Sequence, residues 1–461
     1  MDLPDKRPML AHLKSSDGNW ATRDDVWIRY VTEDQTKIGG LTIGFTGYQN
    51  DQHHFGPELQ FGNVVGDAFA EPVLLIKTAW GGKSLFKDFR PPRSGGEVGP
   101  YYRLMLDQVQ AGIANAKTDF PALQDYQLEI SGFVWQQGWN DMIDQTATRE
   151  YEQNLLNLIA DVREALGKPQ LPFVIGELGN GGENVDENMK RFRAAQAKVA
   201  SHGDPNVAFV KTASFARPAE DSPNPTHGHH WFGNAESYFL VGDAVGYAML
   251  KLVAPERLPH VLILGDSISM GYTPFVQEQL THYYVVRPTN AQGKMINCQG
   301  TTFGVKQIEN WLAADGGKWD LIHFNFGLHD LKHVDSTGKN SMNPSDPVQA
   351  SPEVYEQQLR EIVEKLKSTG AKLIFATTTP VPEGAQPLRE TDAPVRYNAI
   401  AKKIMADNNI PVNDLFEFAL ARLDEIQLPK NVHFSPSGSQ VLGAEVARLI
   451  RENLESSDHS R

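Results

Sequence analysis

The chain has 461 residues, 40% of them hydrophobic, 22% charged and 9% aromatic, a globular composition too long for one typical core and sized for two domains. The same figures exclude a disordered chain, a collagen-like repeat and a small disulfide-stapled scaffold. With 43 Lys and Arg against 57 Asp and Glu the formal charge is -14, so there is no cationic excess to track a phosphate backbone and nucleic acid is not an expected partner.

Cys298 is the one cysteine and cannot form an internal bridge. No apolar run approaches the ~20 residues needed to cross a bilayer. The segment from Met1 to Lys14 is polar and lacks the basic start and apolar middle of a secretory signal.

Short apolar runs then alternate with amphipathic stretches, the pattern of parallel strands joined by crossover helices. In the first half the expected strands are 73–78, 130–136, 173–178 and 207–212, each a continuous apolar run between turn or polar residues. Tyr151, Leu155, Leu158, Ile159, Val162 and Leu166 share a helical face, and 235–252 reads as a closing helix. The two prolines within 253–259 mark the joint. Beyond it come strands at 260–265, 320–326 and 372–377 and helices near 354–367, 395–407 and 437–454. The fold class is α/β, with domains 1–253 and 254–461. The polar stretch 332–352 follows a strand end and reads as a loop over a site.

Two strand ends of the first half carry polar loops. One is Ala79-Trp80-Gly81-Gly82-Lys83-Ser84; the other is Gln137-Gly138-Trp139-Asn140-Asp141. A histidine run, His227-Gly228-His229-His230, precedes the closing helix. In the second half Leu264-Gly265-Asp266-Ser267 delivers a serine just past a buried strand, where ligands sit in open parallel sheets. A serine hydroxyl needs a base and backbone donors to act as a nucleophile. Downstream, Gly300 offers an N–H with no side chain in the way, Gly327-Leu328-His329-Asp330 ends another strand, and His433 stands before the last helix.

That order resembles the SGNH (GDSL-type) hydrolase family over roughly 258–454. The resemblance implies Ser267 as nucleophile and His433 as general base and then acid. The N–H groups of Ser267 and Gly300 would be the oxyanion donors, with His329 where the family has an asparagine. Lys430 replaces the family's aspartate three residues before the histidine, so a backbone carbonyl, Asp414 or Asp424 is expected to orient His433. His329 and His333 form His-x-x-x-His, but they follow a strand and lack the metalloprotease glutamate, so no metal is assigned.

The first half resembles the sialate O-acetylesterase and acetylxylan esterase group, carbohydrate esterases of SGNH-like fold, over roughly 9–252. This implies a glycine loop at Gly81 and Gly82, an oxyanion asparagine at Asn140 and a catalytic histidine at His230, with His229 as the alternative register. The family's Gly-Gln-Ser-Asn nucleophile block has no counterpart. Thr46, behind 41–45, is the one hydroxyl following an apolar run. One expectation is that a first strand, its nucleophile and any export signal precede Met1, which would make the protein periplasmic or secreted. The other is that this half is a non-catalytic module.

Together the two resemblances imply tandem three-layer α/β/α SGNH-like (flavodoxin-like) domains with mostly parallel sheets, a serine esterase acting on O-acyl, chiefly O-acetyl, esters. The expected partner is an acetylated carbohydrate, with Trp80, Trp135, Trp139 and Trp231 near the first-half loops, and no metal or organic cofactor is required. Alternatives from other classes are a non-catalytic carbohydrate-binding or scaffold protein, and a lysophospholipase or thioesterase. Lys83, Lys87, Arg90 and Arg93 form either a local basic patch or simply a solvated loop.

Overall fold

The computed structural model describes residues 7–32, 34–47 and 53–455, so residues 1–6 of the polar start lie outside the described residues. Two compact units divide the chain, Met1–Arg257 and Leu258–Arg461.

In the first unit β1 (Val26–Val31) and β2 (Thr36–Gly40) form an antiparallel hairpin, and β1 pairs in parallel with β3 (Val73–Lys77). Val26, Ile28 and Tyr30 are buried while the residues between them are half-buried, the period of two of a strand with one covered face. A second sheet, wholly parallel, runs in the order β4 (Phe133–Trp135), β5 (Phe173–Gly176), β6 (Val207–Val210). Five longer helices accompany the sheets: α1 (Glu58–Ala68), α2 (Pro100–Asp119), α3 (Gln145–Ala165), α4 (Glu187–Ser201) and α5 (Ala235–Val253). Asp144, Asp186 and Asn234 cap α3, α4 and α5 by accepting N–H bonds from their first turns, each worth about 1 kcal/mol. Strands β3 and β4 are each the last strand of their sheet. Their apolar residues Leu74, Leu75, Ile76, Phe133 and Val134 are only half-buried.

The second unit is a single parallel sheet between two helical layers. Its strands are β7 (His260–Leu264), β8 (Tyr284–Val286), β9 (Leu321–Phe324), β10 (Lys372–Ala376) and β11 (Val412–Asn413), in the spatial order β11-β10-β9-β7-β8. The helices are α6 (Ser267–Gln279), α7 (Thr301–Leu312), α8 (Pro352–Lys367), α9 (Ala393–Asp407), α10 (Leu415–Leu420) and α11 (Pro436–Glu455). Helices α6 and α11 pack together, while α8 packs on α7 and α9. Strands β7 and β9 are buried almost end to end, as central strands covered on both faces must be.

The strands expected in both halves are present, trimmed by one to four residues. The hairpin β1–β2 and the short strands β8 and β11 were not expected. Helices α2, α4, α6 and α7 lie in the gaps between expected strands, where crossovers were required, and α1 precedes the first of those strands.

Candidate active site

The chain leaves β7 and places β8 on one side of it, then places β9 on the other. Crevices at such a reversal of strand order are where open α/β sheets hold ligands. Ser267 sits there, as the first residue of α6, because Asp266 caps the helix by accepting the Ile268 N–H at 2.9 Å. This turn is locked from below by Arg287, a buried guanidinium at the end of β8. It donates to the carbonyls of Gly265 (2.5 Å), Asp266 (3.2 Å) and Ile296 (3.1 Å) and to Ser269 Oγ (2.6 Å). Sequence reading missed Arg287; a single cation closing a short apolar run was the available signal.

His433 reaches back to this serine. Its Nε2 lies 2.8 Å from Ser267 Oγ, across 166 residues of sequence. Its Nδ1 lies 2.8 Å from Asn431 Oδ1, which also accepts the backbone N–H of His433 at 3.0 Å. A backbone N–H must be met by the amide oxygen, so that atom faces Nδ1 and the ring proton sits on Nδ1. Nε2 therefore presents its lone pair to the serine hydroxyl. The two carboxylates expected as alternatives are elsewhere employed or exposed. Asp414 accepts from Thr377 Oγ1 (3.0 Å) and Lys402 Nζ (2.6 Å), and Asp424 is exposed on a single-turn helix. Asn431, the actual partner of His433 Nδ1, was missed because a proton-accepting acid was sought three residues upstream. Lys430 at that position takes a left-handed φ of 53° and turns the chain so that the next residue faces the ring.

The loop before α7 is fastened by Asp330. Its Oδ1 accepts Thr301 N–H at 2.8 Å and Thr301 Oγ1–H at 2.6 Å, while Oδ2 is buried without a partner. Burial pushes this carboxyl up to about 7, against the opposing pull of the Thr301 bonds. Gly300 must be glycine here, because a Cβ would lie 2.7–2.8 Å from the Asp330 carboxylate. Gly327 is equally constrained: its φ is 148° and a Cβ would meet Thr378 Oγ1 at 2.0 Å. His329 precedes Asp330 and is held far down, to about 3, first by burial and then by the charges of Lys332, Arg389 and His433. It is thus a neutral imidazole, with Nδ1 buried and unpartnered. His333 Nδ1–H donates to the Asp346 carbonyl oxygen at 2.6 Å. Among the described residues no three His, Cys, Asp or Glu side chains are grouped to hold a metal ion, and no helix is long and apolar enough to cross a membrane.

In the first unit the same device recurs. Asp141, fully buried, accepts the N–H groups of Leu85 (2.8 Å) and Phe86 (2.9 Å) and Gln137 Nε2–H (2.6 Å), and burial raises it. It thereby fastens the loop after Gly81 and Gly82, and a Cβ on Gly82 would lie 4.0 Å from Asn140 Nδ2. The ring of Trp139 packs on His229 at 5.8 Å, and His229 packs on His230 at 4.4 Å, so His229 is the member of the run beside the Asn140 segment. Burial lowers His230. Two hydroxyls bond to this cluster: Thr226 Oγ1 lies 3.0 Å from His227 Nδ1, and Tyr238 OH donates to the His230 carbonyl oxygen at 3.0 Å. Ser84 Oγ donates to Asp88 (2.8 Å), and Thr46 Oγ1 is buried without a partner. Trp135 belongs to the core, bonded to Tyr151 OH at 3.1 Å, and Trp231 is buried. Trp80 and Trp139 are the half-buried pair flanking the loops. Arg90 is spent on the carbonyls of Phe86, Ser94 and Gly95, and Arg93 on Asp161 and Glu164, so the basic cluster is a folded loop.

Comparison with known proteins follows the division of the chain. Residues 36–246 match the family described as carbohydrate esterase, sialic acid-specific acetylesterase, and residues 263–441 match the GDSL-like lipase/acylhydrolase family. No curated protein sequence matches. Among solved structures, a lipase/acylhydrolase from Enterococcus faecalis is 20% identical, with 42% of this chain and 97% of that one covered and a TM-score of 0.35. The acetyl xylan esterase AlAXEase is 19% identical, with 41% and 99% covered and a TM-score of 0.33. A protein from Arabidopsis thaliana is 18% identical, with 52% and 90% covered and a TM-score of 0.37. The two halves of the chain are thus similar to two different families, the first to the sialic acid-specific acetylesterases and the second to the GDSL-like lipases and acylhydrolases.

Proposed function

We propose that the second unit is a serine esterase that removes O-acetyl groups from carbohydrate hydroxyls, with Ser267 and His433 as its catalytic pair. The observation that carries this reading is the 2.8 Å contact of His433 Nε2 with Ser267 Oγ, made with the ring proton held on Nδ1 by Asn431.

In the first step His433 Nε2 takes the hydroxyl proton as Ser267 Oγ attacks the acyl carbonyl carbon. The carbonyl electrons move onto oxygen, where the N–H groups of Ser267 and Gly300 and the ring N–H of neutral His329 receive the charge. Each such donor is worth on the order of 10²–10³ in rate. Collapse of the intermediate expels the alcohol oxygen, which takes the proton from His433 and leaves the acyl group on Ser267. Water then enters, gives its proton to His433 and repeats the sequence, releasing the acid and restoring the serine. No step calls for a metal or an organic cofactor.

The acetyl part of the reading rests on the description of the family matched by the first segment, a sialic acid-specific acetylesterase. The carbohydrate part of the reading rests on the description of the family matched by the first segment and on the half-buried Trp80 and Trp139 beside its loops, apolar ring surfaces of the kind that suit sugar C–H faces.

The test is release of p-nitrophenol from the acetyl, butyryl and octanoyl esters and of acetate from acetylated xylan, by the full chain and by Ser267→Ala. Acetyl preference, abolished in Ser267→Ala, is the expected result. Preference for the octanoyl ester would favour a lysophospholipase or thioesterase. Undiminished turnover by Ser267→Ala would move the chemistry away from this pair.

A further inference from the structure

The four acceptors of the buried Arg287 guanidinium fall on two separate segments. Gly265 and Asp266 carbonyl oxygens (2.5 and 3.2 Å) and Ser269 Oγ (2.6 Å) belong to the turn that carries Ser267. The Ile296 carbonyl oxygen (3.1 Å) belongs to the segment that leads into Gly300. The two segments also share an acceptor directly, because the Gly265 carbonyl oxygen receives the Cys298 N–H at 3.0 Å as well as the guanidinium.

The Asp266 carbonyl lies in the same peptide unit as the Ser267 N–H. In a planar trans peptide these two groups point in opposite directions, so a donor that grips the carbonyl from beneath fixes where the N–H is aimed. Ser269 Oγ–H (2.7 Å) and Met270 N–H (3.1 Å) grip the same carbonyl. On the second segment Asn297 Oδ1 accepts the Gln299 N–H at 2.9 Å, and Gln299, with a left-handed φ of 55°, turns the chain into Gly300. Among the described residues neither the Ser267 N–H nor the Gly300 N–H has a protein acceptor.

Fastening a turn does not by itself require a buried charge. Every acceptor of this guanidinium is neutral, and neutral groups offset only part of the hydration a cation loses on burial. What the charge adds is strength and polarity. Hydrogen bonds from an ionised donor are roughly twice as strong as neutral ones, and a cation on the Asp266 carbonyl polarises that peptide toward a better N–H donor.

We propose that Arg287 is a positioning residue for acyl transfer, a clasp that holds the Ser267 and Gly300 N–H groups in the mutual placement that receives the oxyanion. This rests on the esterase reading of Ser267 and His433 and adds a residue that touches neither substrate nor reacting atoms. Because the negative charge exists only after attack on the carbonyl, loss of the clasp acts on the transition state and leaves ground-state binding in place.

The test is steady-state hydrolysis of p-nitrophenyl acetate by the full chain, with circular dichroism to establish that each variant is folded. Arg287→Ala is expected to lower kcat by on the order of 10²-fold, the scale of one oxyanion donor, with KM within about threefold. Millimolar guanidinium chloride should return about tenfold of that loss in Arg287→Ala and none in Arg287→Met, whose side chain fills the space. Ser269→Ala, which removes one acceptor and little volume, should lower kcat by about tenfold at unchanged KM, and it decides the matter should Arg287→Ala not fold. The clasp is overturned by a kcat in folded Arg287→Ala within about threefold of the unaltered protein, by a loss confined to KM, or by a loss that guanidinium does not relieve. If Arg287→Ala does not fold, an unchanged kcat in Ser269→Ala overturns it. An unaltered protein without esterase activity, or one whose turnover survives Ser267→Ala, would overturn the reading of the catalytic pair instead.

Discussion

His433 and Asn431, two residues apart, are joined twice through a single atom: Asn431 Oδ1 accepts both the ring Nδ1–H, at 2.8 Å, and the backbone N–H, at 3.0 Å. The neutral carboxamide fixes the tautomer and the orientation of the ring without supplying the negative charge that an aspartate would place beside the imidazolium.

This separates orientation from charge. Asn431→Ala should lower kcat with p-nitrophenyl acetate by on the order of 10²-fold, less than the ~10⁴ seen when a buried triad is given the wrong tautomer, because water can reach this exposed pair. Asn431→Asp should retain activity within about tenfold, since it preserves the acceptor. Equal losses in the two variants would show that the carboxamide does not orient the ring.

His329→Ala should cost on the order of 10²-fold in kcat, while His329→Asn should keep much of the rate by returning an N–H donor to the same place. Steady-state kinetics at neutral pH decides this, since burial keeps the His329 imidazole uncharged far below that range. Matching losses would assign His329 a role in packing.

Asp330 links stability to pH. Its carboxyl is raised to about 7 in the folded protein from about 4 in the unfolded chain, so its contribution is complete below about 4 and is lost as pH rises toward 7. Asp330→Asn removes that dependence. Thermal unfolding of the second unit, which holds Asp330, should therefore show the variant gaining on the unaltered protein between pH 5 and pH 8, by a few degrees in the Tm of that transition. Parallel Tm profiles would argue against a buried, protonatable Asp330.

Two glycines give opposite expectations. Gly327→Ala meets Thr378 Oγ1 at 2.0 Å on a φ of 148° and should destabilise the fold by about 2–4 kcal/mol. Gly81→Ala meets nothing within 4 Å and has no positive φ, so its stability should change by less than about 0.5 kcal/mol. Denaturant titration of both variants checks the contrast.

The parts legible in the sequence were those with one dominant cause. Leu262, Ile263 and Leu264 are apolar because β7 is covered on both faces, and Ser267 followed from the strand's end. Hairpin β1–β2 was not legible, because Arg29 within β1 and Gly39 and Gly40 within β2 break the apolar run. Yet Val26, Ile28 and Tyr30 do carry the two-residue period that could have revealed β1. Asn431 was invisible to a search for an acid at fixed spacing, since its placement depends on the left-handed turn at Lys430. The role of Arg287 depends on four acceptors, from Gly265 to Ile296, that only the folded chain brings together.

Strands β3 and β4, each last in its sheet and only half covered, make the amino-terminal unit the weaker of the two against local opening. Amide protons of Leu74 to Ile76 and of Phe133 and Val134 should exchange with solvent well before those of Leu262 to Leu264. Heating should then dismantle the chain in two separate transitions, the amino-terminal one first, and a single melting temperature would describe neither unit.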